Sequence, residues 1–481
     1  MNKSVADQSV RDAALEPERS LILQAPAGSG KTELLIQRYL ALLSLVDHPE
    51  EIVAITFTRK AAGEMQGRIL DALAMVEDET EPESAHQQQT FRLASNALAR
   101  SRKLGWEITA QPGRLRIQTI DSLCALITRQ MPLMSRLGAQ PETVEDASLL
   151  YELAARRTLA SVETDREFSR DLARLFGHLD HNLPYIKTLL IDMLKKRDQW
   201  LPHISQHPQR ESLEQSLANL VTEKLASVRQ QIPFDVAQEL CSLVCYAVDN
   251  LNREDPGHAF STCKDIEQLP MTGATDLESW QVIASLLLTE QGTWRRQFTV
   301  KNGFPPAGSG AGAEERRQNK KRMQGIIEQL KKIEGMEQQL AEIKILPPCS
   351  YTDREWDVVS ALARVLMLAS AQLRLVFAEY NQVDFNEVAL AALEALGTPG
   401  NPTDLAMHLD YRISHILVDE CQDISITQLR LLESLTAGWT ADEPRSLFLV
   451  GDPQQSIYRF REAEVGLFIE LFESGRLGSV P

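Results

Sequence analysis

Five short and nearly continuous apolar runs occur along the chain, each followed by a polar or glycine-containing turn. They are LILQ (21–24), EIVAITFT (51–58), RLRIQTI (114–120), HILVDE (415–420) and SLFLVGD (446–452). Runs of this kind, alternating with helical patterns, are typical of strands that are buried on both faces of a parallel sheet. The pattern therefore predicts an α/β fold with a doubly wound parallel sheet and helices on both faces.

The strand pattern is missing from residue 131 to about residue 351, where apolar positions recur at helical spacing instead. An apolar stripe between Leu362 and Tyr380 also has helical spacing and predicts a core helix. We therefore predict an α/β domain formed by residues 1–130 and 352–481. A mostly helical inserted subdomain, residues 131–351, would interrupt it.

Composition narrows the class of protein. Of the 481 residues, 43% are hydrophobic and 24% are charged, as in ordinary globular proteins. We see no apolar run long enough to cross a bilayer and no apolar core of a signal peptide near the N-terminus. We therefore expect a cytoplasmic protein without a membrane partner. Six cysteines without a CxxC pair, with Cys241 and Cys245 on one helical face, predict reduced core thiols.

The charge balance bears on nucleic acid binding. A net charge of −17 argues against binding of duplex DNA through bulk positive charge. Single-strand binding by base stacking in a local groove is compatible with that charge. Residues 291–332 carry ten Lys or Arg and three Glu, and PPAGSGAGAEERRQNKKR has the composition of a linker. We predict a mobile basic loop near residues 301–323.

The first strand leads into a candidate phosphate-binding loop, which opens directly into an amphipathic helix. The loop consists of Ala25, Pro26, Ala27, Gly28, Ser29, Gly30, Lys31 and Thr32. Backbone N–H groups in such a loop and the positive end of the helix dipole can hold a phosphate. Lys31 would reach the β- and γ-phosphates of a nucleotide, and the Thr32 hydroxyl would bind Mg²⁺. Ala25 stands where the strict motif has Gly; the alternative is an ordinary glycine-rich turn, which the strand-before, helix-after context disfavours.

Two carboxylates follow the strand HILV. Asp419 at a strand end can hold Mg²⁺, and Glu420 can orient or deprotonate an attacking water. Two neighbouring acids usually mark only a surface turn, but these follow a buried strand in a chain with a phosphate loop. Gln455 follows the next strand, and its uncharged amide suits a group that senses the γ-phosphate.

Aromatic residues interleaved with cations suggest contacts to single-stranded DNA. Tyr458 and Phe460 alternate with arginines, an arrangement that can stack bases and hold phosphates. The alternative is half of a core strand. Phe57 is a second candidate base contact, and the helix that Arg59 opens is a candidate phosphate contact.

Taken in order, several stretches resemble motifs of the N-terminal half of a superfamily 1 DNA helicase of the UvrD/Rep/PcrA type. They are APAGSGKT, AITFTRKAAGEM, TIDSLC, VDFNEV, ILVDECQD and VGDPQQSIYRFR. The resemblance covers residues 1–130 and about 352–475. The long insertion and the sequence GRLRIQTIDSL make the chain look nearest the AddA and RecB subunits, the exonuclease V type.

The resemblance implies a RecA-like domain that uses ATP and Mg²⁺ to move along single-stranded DNA with 3′-to-5′ polarity. It also implies that the second subunit of a helicase–nuclease is a possible partner. The residues that would bind ATP and Mg²⁺ or act in hydrolysis are Gln8 (at the adenine), Lys31, Thr32, Asp419, Glu420 and Gln455. DNA would be contacted by Phe57, Thr58, Arg59, Thr119, Tyr458, Phe460 and Arg461.

The chain departs from the family pattern at three positions. Asp121 replaces a common His and is predicted to cap the helix that begins at Ser122. Cys421 replaces an aromatic residue, and Glu462 replaces a Gly. The family's second motor domain would follow Pro481. We therefore expect the 481 residues to be the N-terminal part of a longer protein, or a naturally truncated protein, and to hydrolyse ATP weakly or not at all by themselves.

The sequence thus predicts the ATP-binding motor half of a DNA helicase, from a helicase–nuclease that repairs double-strand breaks. A non-catalytic DNA-binding or assembly subunit of a recombination complex is the alternative. An unrelated phosphate-loop NTPase, such as a kinase or a transporter component, is disfavoured by GDPQQSIYRFR.

Overall fold

The computed structural model describes residues 8–26, 28–79, 85–131, 141–162, 166–204, 209–254, 260, 263, 266–308, 312–398, 400–440, 442–455 and 465–480. The strands are β1 Leu21–Gln24, β2 Ile52–Thr56, β3 Arg116–Thr119, β4 Glu142–Thr143, β5 Gln382–Val383, β6 Gly397–Thr398, β7 Asn401–Pro402, β8 His415–Val418 and β9 Ser446–Gly451. The helices are α1 Gln8–Ala14, α2 Lys31–Leu43, α3 Arg59–Glu77, α4 Ala85–Leu104, α5 Ile120–Gln130, α6 Ser148–Ala160, α7 Arg166–His178, α8 Leu183–Lys195, α9 Arg197–Ile204, α10 Arg210–Gln231, α11 Phe234–Glu254, α12 Leu277–Leu287, α13 Ala313–Leu330, α14 Met336–Ile345, α15 Asp353–Tyr380, α16 Phe385–Leu396, α17 Asp404–Arg412, α18 Ile426–Leu435 and α19 Val465–Ser474.

The five predicted strands form one parallel sheet in the order β1-β9-β8-β2-β3. Gln24 at the end of β1 pairs with Gly451 at the end of β9. Thr56 and Thr119 pair in the same way at the ends of β2 and β3. The carboxyl ends of the strands therefore meet at one edge of the sheet, where ligands bind in open α/β sheets.

Alternating strand residues bury both faces of the sheet. In β2, Val53 and Ile55 join a core with residues of α5, α6 and α15–α19. Ile52 and Ala54 face the opposite core, which is built with α1–α4. Since successive side chains of a strand point to opposite faces, a strand covered on both sides must be apolar throughout. The α/β prediction is confirmed.

The chain divides into two compact units, Met1–Ser205 with Arg364–Pro481, and Gln206–Ala363. The second unit is helical and has its own core, in which Trp280, Leu240 and Leu330 are fully buried. Helices α6–α9 belong to the first unit, and residues of α6 pack in the sheet's core. The predicted boundaries of an insertion at residues 131 and 351 stay a prediction.

The predicted basic loop is wrong from Ala313 onward, because α13 begins there and continues to Leu330. Glu, Arg, Gln and Lys are good helix formers in water. One face of α13 is also anchored, since Met323, Ile326 and Leu330 are buried. None of the six cysteines, all of which the structure describes, forms a disulfide, and Cys124, Cys241, Cys263 and Cys421 are buried, as expected for core thiols.

Helix α15 corrects a second expectation. Its 28 residues are long and apolar enough to cross a membrane by length and composition, although we expected no such run. Half of the apolar window is nevertheless buried inside the protein. Ala369, Leu373 and Val376 are fully buried in the sheet's core. Helix α15 is therefore buried as a core helix, as the apolar stripe predicted.

Candidate nucleotide and DNA sites

The phosphate loop connects β1 to α2 at the carboxyl edge of the sheet. Gly28 and Gly30 have φ of 74° and 84°, left-handed values that glycine adopts without a steric penalty. The backbone N–H of Ala25 donates to the Gly451 carbonyl at 3.1 Å, which ties the start of the loop to β9. Ala27 lies outside the described residues.

Two polar side-chain atoms of the loop are buried without a hydrogen-bond partner among the described residues. They are the ammonium Nζ of Lys31 and the hydroxyl of Ser29. The Lys31 side chain is 9% exposed, and its nearest anion is Glu420 Oε2 at 3.8 Å. Burying a charge without a hydrogen bond is unfavourable. The loop therefore fits an anion with several acceptor oxygens, as a phosphate has.

Asp419 lies at the end of β8 and is almost fully buried. Its backbone N–H donates to the Ile55 carbonyl at 2.9 Å, and its Oδ1 accepts from the Glu420 N–H at 3.0 Å. Burial, together with the charge of Glu420, raises the pKa of the Asp419 carboxyl to about 6. A carboxylate that is buried with so little compensation suits a cation as its partner.

Glu420 has a left-handed backbone with φ of 54°. A non-glycine residue in this region is uncommon, and such residues are enriched at functional sites. The Glu420 Oε2 atom accepts a hydrogen bond from Gln422 Nε2 at 2.7 Å. The carboxylate is thus held on the side of the phosphate loop, within 3.8 Å of Lys31.

Gln422 joins the ends of β8 and β9. Its Oε1 accepts from the Asp452 N–H at 2.8 Å while its amide nitrogen donates to Glu420. A Cβ on Gly451 would lie 2.8 Å from that Oε1, so the close approach requires glycine. Asp452 in turn accepts a hydrogen bond from Gln455 Nε2. The structure therefore places the loop, the acidic pair and Gln455 at the ends of the neighbouring strands β1, β8 and β9.

Sequence reasoning missed one residue of this region. Gln8 is the first residue of α1, and its side chain lies outside the described part. Arg11, about one turn later, donates from Nη2 to the Ser29 carbonyl at 2.6 Å. The sequence offered one signal for Arg11: it is a cation on the same predicted helix as Gln8, the expected adenine contact.

Phe57 lines a cavity of about 430 Å³ at the carboxyl edge of the sheet. Tyr151, Phe385 and Asn386 are among its other lining residues. Thr58 caps α3, since its side chain accepts from the Ala61 N–H at 3.1 Å. Its neighbour Arg59 is exposed at the start of that helix.

Thr119 is 6% exposed, and its hydroxyl accepts from the Ser122 N–H at 3.1 Å. Thr119 is therefore the cap of α5, and the prediction that Asp121 caps this helix is wrong. Asp121 lies in the first turn instead and accepts from Gln428 Nε2 at 3.2 Å. A contact of Thr119 with DNA stays a prediction.

Tyr458, Phe460 and Arg461 lie outside the described residues, as does Glu462. Within the described part, no three His, Cys, Asp or Glu side chains converge as a metal cluster. Magnesium at a nucleotide needs no such cluster, because it is usually held by one or two protein ligands, phosphate oxygens and water.

The family model for the UvrD/REP helicase N-terminal domain matches residues 6–474. The chain belongs to this family. It is 24% identical over 94% of its length to AddA, a subunit of the ATP-dependent helicase/nuclease, from Lysinibacillus sphaericus. It is 27% identical over 96% to the protein of the same name from Desulfitobacterium hafniense, and 26% identical over 95% to the one from Lactobacillus delbrueckii.

These matches cover 35%, 32% and 36% of the three relatives, so the chain spans about a third of their length. Because the relatives are AddA proteins, the predicted likeness to the AddA group of UvrD-type helicases is confirmed. The family membership accounts for the motif order along the sheet edge.

Proposed function

We propose that this chain is the ATP-binding half of a DNA helicase motor. The motor would use ATP and Mg²⁺ to move 3′-to-5′ along single-stranded DNA within a helicase–nuclease that repairs double-strand breaks. The observation that carries the proposal is the buried Lys31 ammonium, which has no hydrogen-bond partner among the described residues and faces Glu420 across the sheet edge. Family membership supplies the DNA part of the proposal.

Each side chain would have a separate role in hydrolysis. Lys31 would neutralise charge on the transferred phosphoryl group. The Thr32 hydroxyl and the Asp419 carboxylate would hold Mg²⁺, whose charge stabilises phosphate oxygens. The burial that raises the pKa of Asp419 favours binding of a cation, which restores its ionised form.

Glu420 would orient the attacking water and accept its proton. Its left-handed backbone and its hydrogen bond from Gln422 fix the carboxylate before nucleotide arrives. Gln455, held by Asp452, would sense the γ-phosphate from the end of β9. Gln8 would contact the adenine.

Single-stranded DNA would cross the carboxyl edge of the sheet, with Phe57 stacking on a base. The cavity beside Phe57 is lined by four acidic side chains and one basic side chain, Lys195, together with aromatic and amide groups, so it suits an uncharged ring better than a phosphate. Its volume lies in the range of about 300–1,000 Å³ that is typical of small-molecule pockets. Thr58, Arg59, Thr119, Tyr458, Phe460 and Arg461 complete the proposed DNA contacts.

The relatives are named as components of a helicase/nuclease, which supports the second subunit of such a complex being the partner. A non-catalytic DNA-binding or assembly subunit remains the rival function. The left-handed backbone of Glu420 and the buried Lys31 ammonium, which has no hydrogen-bond partner among the described residues, favour the catalytic role, because both lie where a nucleotide phosphate would bind.

The test is ATP turnover by the full-length protein with and without single-stranded DNA. We expect DNA to stimulate turnover and Lys31→Ala to abolish it. Residues 1–481 alone should turn over ATP slowly, because a second cation at the γ-phosphate can accelerate phosphoryl transfer by about 10³–10⁵. By resemblance to the family, that cation would come from a second motor domain. A full-length protein that binds single-stranded DNA but shows no Lys31-dependent turnover would favour the rival function.

A further inference from the structure

The side chain of Arg11 joins helix α1 to the candidate phosphate loop. The guanidinium of Arg11 donates to the Ser29 carbonyl at 2.6 Å. Its two terminal nitrogens lie 3.5 and 3.6 Å from the position that a Cβ on Gly30 would occupy. Arg11 is therefore packed against the Ser29–Gly30 peptide of the loop.

A second arginine fixes the other end of α1. Arg38 of α2 is fully buried and donates to the carbonyls of Ala14 at 2.6 Å and Arg19 at 2.5 Å. Its guanidinium also lies 4.5 Å from the ring centroid of Phe448 in β9. Carbonyls at a helix C-terminus lack partners within the helix and attract a cation. Arg38 thus anchors the C-terminus of α1 to α2. This anchor fixes the position of α1, and with it the position from which Arg11 reaches the loop.

The contact to Ser29 has a consequence for the next N–H group. In a trans peptide the C=O and the following N–H point in opposite directions because the unit is planar. Because the Ser29 carbonyl points toward Arg11, the Gly30 N–H of the same peptide points away from Arg11. Backbone N–H groups of this loop are the donors that would bind phosphate.

We propose that Arg11 is a positioning residue for the nucleotide phosphates. It acts through the Ser29–Gly30 peptide and presets the direction of the Gly30 N–H. The inference rests on the proposed nucleotide site and adds to it a residue outside the loop. Since the effect is on the phosphate contact, it is the same for a nucleotide and for pyrophosphate.

The experiment is titration calorimetry of Mg-ADP and of Mg-pyrophosphate with the chain, comparing wild type, Arg11→Ala and Arg11→Lys. Arg11→Ala should weaken both ligands about tenfold, the effect of losing a hydrogen bond to a charged group. Arg11→Lys should remain within about threefold of wild type, because an ammonium also donates to a carbonyl.

Arg100→Ala is the matched control. Arg100 donates to the Val46 and Leu45 carbonyls at 3.0 and 3.1 Å, beyond the far end of α2. Both arginines therefore bind backbone carbonyls, but only Arg11 contacts the loop. Arg100→Ala should bind both ligands with wild-type affinity.

Three results would overturn the inference. In the first, Arg11→Ala binds both ligands with wild-type affinity. In the second, the substitution weakens the binding of ADP but not of pyrophosphate, which would place its effect on the base. In the third, it lowers the thermal midpoint of unfolding and leaves both affinities unchanged, which would make Arg11 a residue that only stabilises the fold. If the wild-type chain binds neither ligand, the proposed nucleotide site itself fails. That outcome is separate from the other three.

Discussion

The buried ammonium of Lys31 allows a test in which nucleotide binding and fold stability are measured together. Lys31→Met keeps an unbranched side chain of similar length and removes the charge. In the wild type, this charge is 9% exposed, has no hydrogen-bond partner among the described residues and lies 3.8 Å from Glu420. The substitution should therefore act oppositely with and without nucleotide.

Without nucleotide, two opposing terms nearly cancel. Burial of an ammonium costs several kcal/mol. Two charges about 4 Å apart attract by about 4 kcal/mol at an effective dielectric constant near 20. That figure is an upper bound here, since the Glu420 side chain is 36% exposed and water screens it. We expect Lys31→Met to leave the free energy of unfolding unchanged or to raise it by up to about 2 kcal/mol.

With nucleotide, the balance reverses. A ligand at about 100 times its dissociation constant raises the free energy of unfolding by about 2.7 kcal/mol. Lys31→Met should lose nearly all of this gain, because the cation that would contact the phosphates is missing. Without nucleotide, the variant should therefore be at least as stable as the wild type. With Mg-ADP present, it should be less stable than the wild type.

Urea denaturation with and without Mg-ADP measures both quantities in one chain. Lys187→Met is the control, since Lys187 also pairs with a glutamate, Glu152 at 3.0 Å, but lies outside the site. The control should keep the full nucleotide effect. A gain of wild-type size in Lys31→Met would mean that the phosphates bind elsewhere. A loss of more than about 3 kcal/mol without nucleotide would mean that the charge stabilises the fold.

Three further predictions concern other residues. Glu420→Gln in the full-length protein should bind ATP normally in a filter assay but block turnover; near wild-type turnover would refute its role as the base. Phe57→Ala should weaken single-stranded DNA binding by about 1–3 kcal/mol in fluorescence anisotropy, and unchanged affinity would show that the ring does not stack on a base. Burial and the charge of Arg38 lower the pKa of His415 to about 4. At this site the unfolded chain therefore binds an extra proton between about pH 4 and 6.5, so the contribution of His415 to the unfolding free energy should fall by up to about 3 kcal/mol as pH falls through that window. The difference in unfolding free energy between wild type and His415→Gln isolates this contribution, because other groups such as Asp419 titrate in both. A difference that does not change with pH would refute the prediction.

The central strands were the most predictable, because a parallel strand that is buried on both faces is apolar at nearly every position. The run Ile52–Thr56 is fully buried, and so is Ser446–Gly451. The turn between β1 and α2 was predictable because its glycines and the strand and helix beside it are adjacent in sequence. Its role in binding phosphate stays a prediction. Local pattern suffices where local contacts decide the structure.

Contacts between distant residues were not predictable from pattern. Gln422 reaches Asp452, and Arg11 reaches Ser29, only because the sheet order brings those strand ends and α1 together. The left-handed backbone of Glu420 is likewise invisible to propensity, which disfavours it. The composition of residues 313–323 wrongly suggested a mobile loop, because the segment is rich in charged residues, as linkers are. The apolar residues of α13 lie on one helical face, and the structure shows that this face is buried.

Asp121 shows how a departure from the family pattern is accommodated. Gln428 closes the cap of α18 by accepting from the Ser425 N–H at 3.1 Å, and its amide nitrogen donates to Asp121 at 3.2 Å. The carboxylate is thus paired within the protein instead of being directed at DNA phosphate. Asp121→Ala should lower the free energy of unfolding by about 1 kcal/mol, with a coupling of about 0.5 kcal/mol or more to Gln428→Ala in a double-mutant cycle.

The same variant separates that structural role from a role in DNA binding. If Asp121 faced the DNA backbone, removing its charge would strengthen single-strand binding, and the gain would shrink with added salt. We expect affinity to change less than about twofold at any salt concentration, because the charge is held by Gln428. A salt-dependent gain in affinity without coupling to Gln428 would show that Asp121 repels DNA and that its hydrogen bond to α18 is incidental.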